Sequence, residues 1–492
     1  MIRAQVKQFN SQFSDPALLR ERAYVDGAWI DASTGETAEV TNPADGSVIG
    51  YVPMLGESET RKAIDAAERA FPAWRALLPQ ERGELLEAWY QGILANREDL
   101  ARIMTLEQGK PLSDSRGEID YAASFIKWFA EEGRRMNGET IPSHLPNRRM
   151  LVCREPIGVT ACITPWNFPS AMITRKAAAA LAAGCPMVVR PALETPFSAL
   201  ALAELADRAG IPAGVFSVVT GSGRKIGAEL CTNTRVRALS FTGSTEVGRV
   251  LLRQGAESVK KMSMELGGHA PFIGYADVGV ERLVEGALAA KFQTCGQDCL
   301  AANRIYIHRD IYDRFVDAFA RRTAALKVGN GLAEHIDLGP LMNEEAVQKA
   351  EEHVEDAVSK GARLLTGGKR LKPGSLFFAP AVLADVTPDM AIYREETFGP
   401  VAGVTPFDDD DDIAAMANDS EYGLASYIYS NDLSRVHRLS SALEYGMVAV
   451  NCVKMTGPPI PFGGVKQSGL GREGSRHGLD EYSELKYVCI QV

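Results

Sequence analysis

The chain has 492 residues, 53 Lys and Arg against 63 Asp and Glu, and a formal net charge of −10. It exceeds what one hydrophobic core usually supports, so two or three domains are expected. Its negative balance argues against nucleic acid or an anionic membrane as the main partner, because both are bound through clustered Lys and Arg. No apolar run approaches the roughly 20 residues that span a bilayer, and the start has no apolar segment of signal-peptide type. We therefore expect a cytoplasmic protein.

The eight cysteines favour free thiols over disulfides or a metal centre. A chain of this length needs no disulfide for stability, and a reducing compartment keeps thiols free. Only Cys295 and Cys299 approach the spacing of zinc ligands and no second pair completes a site, so no metal is expected. These two thiols are close enough along the chain to form a regulatory disulfide if their loop permits it.

The first part of the chain predicts a short β-rich segment followed by helices. Asp26-Gly27 and Asp45-Gly46 are hairpin signals within residues 24–51. Apolar residues then recur at helical spacing, which predicts helices at residues 59–71 and 80–96.

From residue 148 onward, strands and helices alternate, which predicts a parallel sheet covered on both faces. Ser170 and Thr195 are predicted to cap two of the helices, and Gly184 and Gly210 to end them. The predicted strands are residues 156–163, 186–189, 215–219, 236–241 and 261–265. The predicted helices are residues 171–183, 195–209, 225–231 and 245–253.

The alternation restarts after residue 268 and predicts a second α/β domain that carries Cys299. The aspartate run at residues 408–412 is predicted to be a solvated helix start rather than a metal site, because carboxylates favour the helix macrodipole. Helices are predicted at residues 280–292, 311–326, 344–360 and 413–417. Strands are predicted at residues 304–307, 363–366 and 424–429.

Cys299 lies on the connection between a predicted buried helix and a predicted buried strand, where functional residues often occur. A cysteine attacks as its thiolate, and an unperturbed thiol has a pKa of about 8.5, so only modest activation is expected to be needed near neutral pH. Taken alone, Cys299 could equally be a small apolar core residue.

Three other positions suggest chemistry but are weak signals individually. Gly243 and Ser244 lie in a turn between a strand and a helix, where a pyrophosphate could bind, although a plain turn fits equally well. Glu265 ends a strand and could act as a general base if burial raises its pKa, although it could also be a surface glutamate. Asn167, restrained by neighbouring prolines and aromatic residues, could donate to an oxyanion or simply form a turn.

Together these stretches resemble the NAD(P)-dependent aldehyde dehydrogenase superfamily, and the resemblance covers nearly the whole chain. Six motifs in order are far more specific than any one of them. The motifs are residues 164–169, 243–248, 265–268, 296–299, 395–400 and 461–469.

The resemblance implies a division of catalytic roles. Cys299 would attack the aldehyde, and Asn167 and the Cys299 N–H would hold the resulting oxyanion. Glu265 would activate the water that hydrolyses the thioester, and Glu473 matches a carboxylate that can relay protons.

NAD or NADP is the cofactor that the resemblance implies. Arg190 stands where a Lys commonly holds the adenosine ribose, and Leu193 replaces the glutamate that favours NAD, so we predict that NADP is accepted. The implied cofactor residues are Thr164, Trp166, Arg190, Gly221, Ser244, Glu396 and Phe398. Thr294 and His269 also depart from the usual pattern, and they are expected to change the walls of the site rather than its mechanism.

The chain most resembles the succinate-semialdehyde dehydrogenase branch, which holds its substrate carboxylate with arginines and a hydroxyl. Arg175 and Thr456 match two of these groups, whereas Gln293 replaces the second arginine. Losing one cation should weaken carboxylate binding unless Lys454 replaces it, and a solvent-facing Lys454 is the alternative. Succinate semialdehyde is therefore the predicted substrate, ahead of glutarate semialdehyde, other ω-semialdehydes and aromatic aldehydes.

The implied fold is a Rossmann-like cofactor-binding domain (residues 1–134 and 153–265), an α/β catalytic domain (266–466) and a small β oligomerisation extension (135–152 and 467–492). A homodimer or homotetramer is implied, linked through a hairpin near residues 138–152 and a strand near 485–490. Two other classes remain as alternatives: a cysteine hydrolase, which lacks a clear His partner, and a catalytically silent binding protein, which would not need thiol, base and oxyanion donor together.

Overall fold

The structure, a computed structural model, describes residues 13–492; the first twelve residues of the predicted cofactor domain lie outside this range. The strands are β1 (Ala23–Val25), β2 (Ala28–Ile30), β3 (Thr37–Thr41), β4 (Val48–Pro53), β5 (Glu139–Ile141), β6 (Arg148–Pro156), β7 (Val159–Ile163), β8 (Met187–Arg190), β9 (Phe216–Val218), β10 (Val236–Thr242), β11 (Lys261–Glu265), β12 (Ala270–Gly274), β13 (Ala302–His308), β14 (Arg363–Thr366), β15 (Ala381–Ala384), β16 (Val401–Phe407), β17 (Ala425–Tyr429), β18 (Met447–Val450), β19 (Gly469–Leu470) and β20 (Ser483–Gln491).

The helices follow the same chain order. They are α1 (Glu57–Ala76), α2 (Pro79–Ala95), α3 (Arg97–Gln108), α4 (Leu112–Glu132), α5 (Ala171–Ala183), α6 (Pro196–Arg208), α7 (Gly223–Thr232), α8 (Thr245–Gly255), α9 (Val280–Phe292), α10 (Tyr312–Ala324), α11 (Glu344–Ser359), α12 (Ala391–Arg394), α13 (Ile413–Asn418) and α14 (Leu433–Ala442).

Two large sheets form the centres of the molecule. The first has the order β19-β11-β10-β7-β8-β9-β1-β2, and its five central strands run parallel while its edges are antiparallel. The second has the order β14-β15-β16-β13-β12-β17-β18 and is parallel except at β14. The central strands β7 and β13 are buried along their whole length, as expected for parallel sheets covered on both faces. The predicted α/β alternation is therefore confirmed in both halves.

A third sheet joins distant parts of the chain. β20 pairs antiparallel with β6 over nine residues, and β6 pairs with β5. This sheet exposes several large apolar side chains, namely Ile141, Leu485, Tyr487 and Ile490. The predicted hairpin and C-terminal strand are thus present and adjacent.

The elements that the sequence predicted lie within a few residues of their expected positions, and the largest difference is near Pro72. The predicted helix at residues 59–71 continues through Pro72 to Ala76. Trp74 explains the extension: its side chain is almost fully buried and its Nε1 donates to the carbonyl of Leu181 at 3.1 Å. Tertiary packing thus outweighs the proline's lost hydrogen bond.

Ser170 and Thr195 occupy the predicted N-cap positions of α5 and α6, but the capping hydrogen bonds expected from their side chains are not formed. Instead, Glu118 accepts from the N–H groups of Ser170 and Ala171, at 2.9 and 3.2 Å, at the start of α5. Glu107 does the same for α6, accepting from the N–H of Phe197 at 2.7 Å and from the next N–H at 2.8 Å. Buried carboxylates from α3 and α4, two helices that the sequence analysis did not predict, therefore satisfy these N-termini.

The aspartate run behaves as predicted at its end: Asp412 caps α13 by accepting from the N–H of Ala415 at 3.0 Å. Within residues 13–492, no group of three or more His, Cys, Asp and Glu residues is arranged to hold a metal ion. None of the helices in that range combines the length and the apolar character that a membrane crossing requires.

Candidate active site

Two cavities enter the molecule and meet at Cys299. The first, about 680 Å³, lies at the carboxyl ends of the first sheet's parallel strands, and we call it the cofactor cleft. The second, about 490 Å³, lies between α4, α5, the end of α9 and the loop of residues 453–456, and we call it the substrate cavity. Among residues 13–492, only Met172 and Cys299 line both cavities. A thiol at this junction can contact molecules that enter from either side.

The turn before Cys299 has an unusual backbone. Thr294 and Cys295 have φ of +48° and +59°, and Gly296 has φ of +71°. A Cβ at Gly296 would lie 2.3 Å from the carbonyl oxygen of Gly399, so only glycine fits there. Gly268 approaches the same segment closely, because its Cβ would lie 2.1 Å from the Cys299 carbonyl oxygen. The glycines of three predicted motifs therefore let three backbone segments pack around the thiol.

The thiol of Cys299 is not pre-activated, which corrects the expectation that it needs only modest help. Burial raises the pKa of Cys299 well above its usual value, and the nearby carboxylates Asp298 and Glu396 raise it further. Arg175 opposes this shift without reversing it. The thiol is therefore protonated at neutral pH, and its attack requires a group that accepts its proton.

Asn167 faces the cofactor cleft and is held by several contacts. Its Nδ2 donates to the carbonyl of Gln297 at 3.0 Å, which ties it to the Cys299 turn and leaves its second amide hydrogen for another acceptor. Its own carbonyl accepts from the Nζ of Lys110 at 2.6 Å. Lys110 in turn forms a buried ion pair with Glu118 at 2.6 Å and lies 4.2 Å from the ring centroid of Phe168.

The Lys110–Glu118 pair was missed by the sequence analysis, because Lys110 lies in the loop between the unpredicted helices α3 and α4, and Glu118 lies on α4. It links the Asn167 loop to the start of α5 through one continuous set of hydrogen bonds. Asn167 is therefore a rigid donor, as an oxyanion site requires.

Glu265 is buried with both carboxylate oxygens lacking a hydrogen-bond partner among the described residues. Burial raises its pKa well above the usual value, and the charge of Glu473 raises it further. A carboxyl group of this kind is suited to taking a proton from water near neutral pH.

Glu473 forms buried ion pairs with two cations. Arg175 Nη2 lies 2.6 Å from Glu473 Oε2, and Lys176 contacts the other oxygen of the same carboxylate. Both cations lower the pKa of Glu473 against the opposing effect of burial. Arg175 also packs over Phe462, 4.1 Å from its ring centroid, and lines the substrate cavity. Its charge is therefore only partly compensated, because Glu473 is shared with Lys176.

The adenosine end of the cofactor cleft carries Arg190, whose Nη2 donates to the carbonyl of Gly221 at 3.1 Å. Arg190 Nε and Thr164 Oγ1 are buried without partners among the described residues. Glu194 and Arg224 also line this end, whereas Leu193 packs against the core. The sequence analysis considered Leu193 and missed Glu194, so a carboxylate does lie near the predicted phosphate position.

Gly221 contributes to the cleft indirectly. Its φ is +137°, and a Cβ there would lie 2.4 Å from the carbonyl oxygen of Leu55. Gly221 thus allows Leu55, just before α1, to pair with the segment that follows β9. The carbonyl of Gly221 accepts a hydrogen bond from Arg190. Gly221 does not line the cleft itself.

The phosphate and nicotinamide regions of the cleft are also formed. Ser244 Oγ accepts from the N–H of Val247 at 3.3 Å at the start of α8, and its hydroxyl hydrogen remains available to a ligand. Trp166 and Phe398 contact edge to face at 5.5 Å between centroids. Glu396 Oε1 accepts from the N–H of Gly268 at 2.9 Å, and burial raises the pKa of Glu396 to about 7.

His353, on α11, supports this last region. Its Nδ1 is 3.0 Å from the hydroxyl of Thr397, the residue between Glu396 and Phe398, and Phe398 has φ of +52°. Burial lowers the pKa of His353 to about 4, so the ring is neutral at physiological pH. No local sequence signal pointed to this contact. The cleft's volume, its orphaned polar atoms at the adenosine end and its helix N-terminus together fit a dinucleotide.

The substrate cavity is lined by all four predicted substrate residues, Arg175, Gln293, Lys454 and Thr456. Gln293 and Lys454 are exposed at its rim. The carboxylates of Asp114 and Asp298 also line it, and neither was predicted.

Two other predicted positions lie outside both cavities. Cys295 is buried, and burial raises its pKa to about 12, which disfavours the reactive thiolate. His269 lies behind the wall, with Nε2 2.9 Å from the carbonyl of Tyr393. A redox disulfide between Cys295 and Cys299, both of which are free thiols in the structure, remains a prediction.

Comparison with known proteins agrees with this geometry. The sequence matches the aldehyde dehydrogenase family over residues 29–488. It is 60% identical over 98% of both chains to the aspartate-semialdehyde dehydrogenase (non-phosphorylating) of Halomonas elongata. It is 55% identical, over 97% of this chain and 99% of the other, to the NADP(+) succinate-semialdehyde dehydrogenase of Escherichia coli.

A solved structure, that of succinate-semialdehyde dehydrogenase from Burkholderia pseudomallei, superimposes with a TM-score of 0.96 and 53% identity, covering 98% of this chain and 100% of that one. The predicted fold is thereby confirmed, and the non-enzymatic and hydrolase alternatives are not favoured. The chain belongs to the aldehyde dehydrogenase family, an oxidoreductase family that oxidises aldehydes with NAD(P).

Proposed function

We propose that this enzyme oxidises a short ω-oxo carboxylic acid, with succinate semialdehyde as the first candidate, through a covalent intermediate on Cys299. The observation that carries the proposal is that Cys299 lies at the junction of the cofactor cleft and the substrate cavity. Glutarate semialdehyde, other ω-semialdehydes and aromatic aldehydes are the alternatives.

The protein's own groups can perform the chemistry of each half-reaction. The Cys299 sulfur adds to the aldehyde carbon as its proton passes to water in the substrate cavity, which Cys299 lines, and the Asn167 amide and the Cys299 N–H donate to the new oxyanion. When bound, NAD(P) supplies the acceptor for the aldehyde hydride. Glu265, uncharged by burial until its pKa is exceeded, then takes a proton from the water that attacks the thioester and releases the acid. Glu473, whose carboxylate forms ion pairs with Arg175 and Lys176, would assist the transfer of this proton away from Glu265.

The positively charged side chains of the substrate cavity favour substrates that carry a carboxylate. Arg175 and Lys454 lie on its wall, and Thr456 offers a hydroxyl. Arg175 shares Glu473 with Lys176, so part of its positive charge remains available to a substrate carboxylate, together with that of Lys454.

Both NAD and NADP are proposed as cofactors. Arg190 offers an unpartnered Nε, and a guanidinium can bind either ribose hydroxyls or a 2′-phosphate. Glu194 opposes a phosphate nearby, so the ratio of the two cofactors is set by these two side chains. A kcat/KM for NADP more than about a thousandfold below that for NAD would contradict this proposal.

We also propose a cytoplasmic homodimer or homotetramer assembled through the sheet of β5, β6 and β20. Its exposed apolar side chains support this assignment, because contiguous apolar surface commonly marks an interface. We propose the same domain boundaries that the sequence predicts. One strand of the proposed oligomerisation element 467–492, β19, pairs with β11 at the edge of the first sheet.

A panel of aldehydes tests the function. We expect aldehyde-dependent reduction of NAD or NADP, with kcat/KM for succinate semialdehyde well above that for butanal, which lacks the carboxylate. Cys299→Ala should lose this activity by about four orders of magnitude or more, because the nucleophile is gone. The matched control Cys295→Ala should retain it. Equal values for butanal and succinate semialdehyde would remove the substrate assignment, and an active Cys299→Ala would remove the mechanism.

A further inference from the structure

The Cys299 loop, residues 293–301 between α9 and β13, has a backbone that residues other than glycine rarely adopt. Thr294 and Cys295 both have positive φ, at +48° and +59°. Such a backbone persists only where its surroundings fix it, because each of these residues costs conformational energy. The loop therefore depends on contacts that hold its two ends at a fixed separation.

Lys291 and Asn303 provide such a contact. Lys291 lies in the last turn of α9, and Asn303 is the second residue of β13. The Lys291 Nζ donates to the Asn303 Oδ1 at 2.6 Å, and both residues are almost completely buried. This hydrogen bond joins two residues that are 12 positions apart, one on each side of the loop. It therefore closes the base of the loop that carries Cys299.

The side chain of Lys291 has no carboxylate partner in the part of the chain that the structure describes, residues 13–492. A lysine is rarely buried completely unless it is paired, because its charge must leave water. Burial accordingly lowers the pKa of Lys291 to about 7. An amine donates hydrogen bonds in both its charged and its neutral form, so the bond to Asn303 is present on both sides of this pKa.

Neither Lys291 nor Asn303 is among the described residues that line the cofactor cleft or the substrate cavity. The proposed mechanism therefore gives them no contact with substrate or cofactor. Stability alone does not require the pair, because apolar side chains of similar shape can replace two buried hydrogen-bonding partners at little cost. Asn303 Nδ2 is buried without a partner within residues 13–492, so Lys291 alone orients this side-chain amide.

We propose that the Lys291–Asn303 hydrogen bond positions the nucleophile, because it holds the two ends of the Cys299 loop and so keeps the thiol at the junction of the two cavities. Lys291 and Asn303 are positioning residues that act through the loop backbone. The inference rests on the proposed role of Cys299 as the nucleophile. Without the bond, the thiol is aligned with the Asn167 amide for less of the time, and small displacements from a reactive geometry lower rates strongly.

Removal of the bond should change turnover and thiol exposure in opposite directions. For Lys291→Met, which keeps the side-chain length, we expect kcat to fall about tenfold to hundredfold, with KM for the cofactor within about twofold of the wild type. Alkylation of Cys299 by iodoacetamide without substrate or cofactor, measured at that residue by mass spectrometry, should become about fivefold faster, because a loosened loop exposes the thiol.

A second variant, Asn303→Leu, removes the acceptor and leaves Lys291 in place, so it decides the question if Lys291→Met folds poorly. It should reproduce both changes. The Lys291→Met/Asn303→Leu double variant should lose no more kcat than either single variant, because the two side chains act as one unit. Losses that add in the double variant would overturn the inference.

Two control variants separate positioning from a general loss of stability. Asn303→Asp keeps an acceptor for Lys291, so its kcat should stay within about threefold of the wild type. Tyr312→Phe removes the hydroxyl that donates to Asp385 Oδ1 at 2.9 Å, elsewhere on the second sheet, and should lower the melting temperature without changing kcat.

The inference would be overturned if Lys291→Met kept the wild-type kcat and alkylation rate, or if Tyr312→Phe lost as much kcat as Lys291→Met. A wild type that oxidises no aldehyde would instead contradict the proposed function. The alkylation rates would still test the Lys291–Asn303 bond in that case, because they require no turnover.

Discussion

The cofactor cleft and the substrate cavity share Cys299 but differ in how their polar groups are held. In the cleft, Glu396, Ser244 and Arg190 each have a backbone partner within the protein. In the substrate cavity, Asp114 and Lys454 have no ion-pair partner among the described residues. The cleft is therefore preorganised for one ligand, whereas the cavity selects its ligand by charge.

The largest expected effect concerns Glu265, which belongs to neither cavity wall and serves their shared chemistry. Glu265→Gln removes the base, so kcat should fall by about 10²- to 10⁴-fold. Since thioester hydrolysis is the affected step, the first turnover should still release a burst of reduced cofactor in stopped-flow absorbance. In the wild type, kcat should rise with pH as the carboxyl ionises, because burial raises the pKa of Glu265. A variant with wild-type kcat, or one without a burst, would contradict this role.

The next largest effect is expected for the buried Lys110–Glu118 pair, which holds the Asn167 loop in place. Lys110→Met leaves Glu118 buried without its cation, which costs about 3–5 kcal/mol for a pair of this kind. The melting temperature and kcat/KM should both fall, because the Asn167 carbonyl also loses its donor. Lys127→Met, which breaks the exposed pair between Lys127 on α4 and Glu87 on α2, is the control and should cost about 0–1 kcal/mol. Equal losses for the two variants would show that the buried pair has no special role.

A smaller effect tests whether the cleft discriminates between cofactors. Arg190→Met should reduce kcat/KM for NADP about tenfold more than for NAD, because a 2′-phosphate loses a charge-assisted hydrogen bond. Each cofactor serves as the control for the other, and tryptophan fluorescence titration gives the two Kd values without turnover. An unchanged ratio would mean that Arg190 holds only the ribose.

The smallest effect comes from Glu396. Burial raises its pKa to about 7, so the group is uncharged below that pH and charged above it. An ionised carboxylate accepts hydrogen bonds more strongly, so Kd for the cofactor should fall about fivefold as pH rises through 7. Glu396→Gln should bind the cofactor with little pH dependence, and a wild-type slope in that variant would assign the titration to another group.

The fold was largely predictable because its signals are local. Strand and helix patterning located β11, α5, α9 and β14 to the residue. The errors come from tertiary contacts: Trp74 packing carries α1 past Pro72, and carboxylates of Glu107 and Glu118 replace the predicted caps. A pattern read along the chain contains no information about partners that are more than 50 residues away.

In the candidate active site, too, local sequence signals could be recognised and tertiary contacts could not. The motifs contain Cys299, Glu265 and Asn167 because glycines and prolines must shape those turns. The pairing of Arg175 with Glu473 could not be predicted, since these residues lie far apart in sequence and meet only in the folded protein. The high pKa of Cys299 was likewise missed, because it depends on burial and on neighbouring carboxylates.

The most direct test of the account is to locate the covalent intermediate. Glu265→Gln is mixed with aldehyde and cofactor, quenched in acid within the burst, digested and analysed by mass spectrometry. The account predicts an acyl group on the peptide that contains Cys299, on that sulfur, and none in the Glu265→Gln/Cys299→Ala double variant. An acyl group on Cys295 or any other residue, or turnover without any acyl-enzyme, would contradict it.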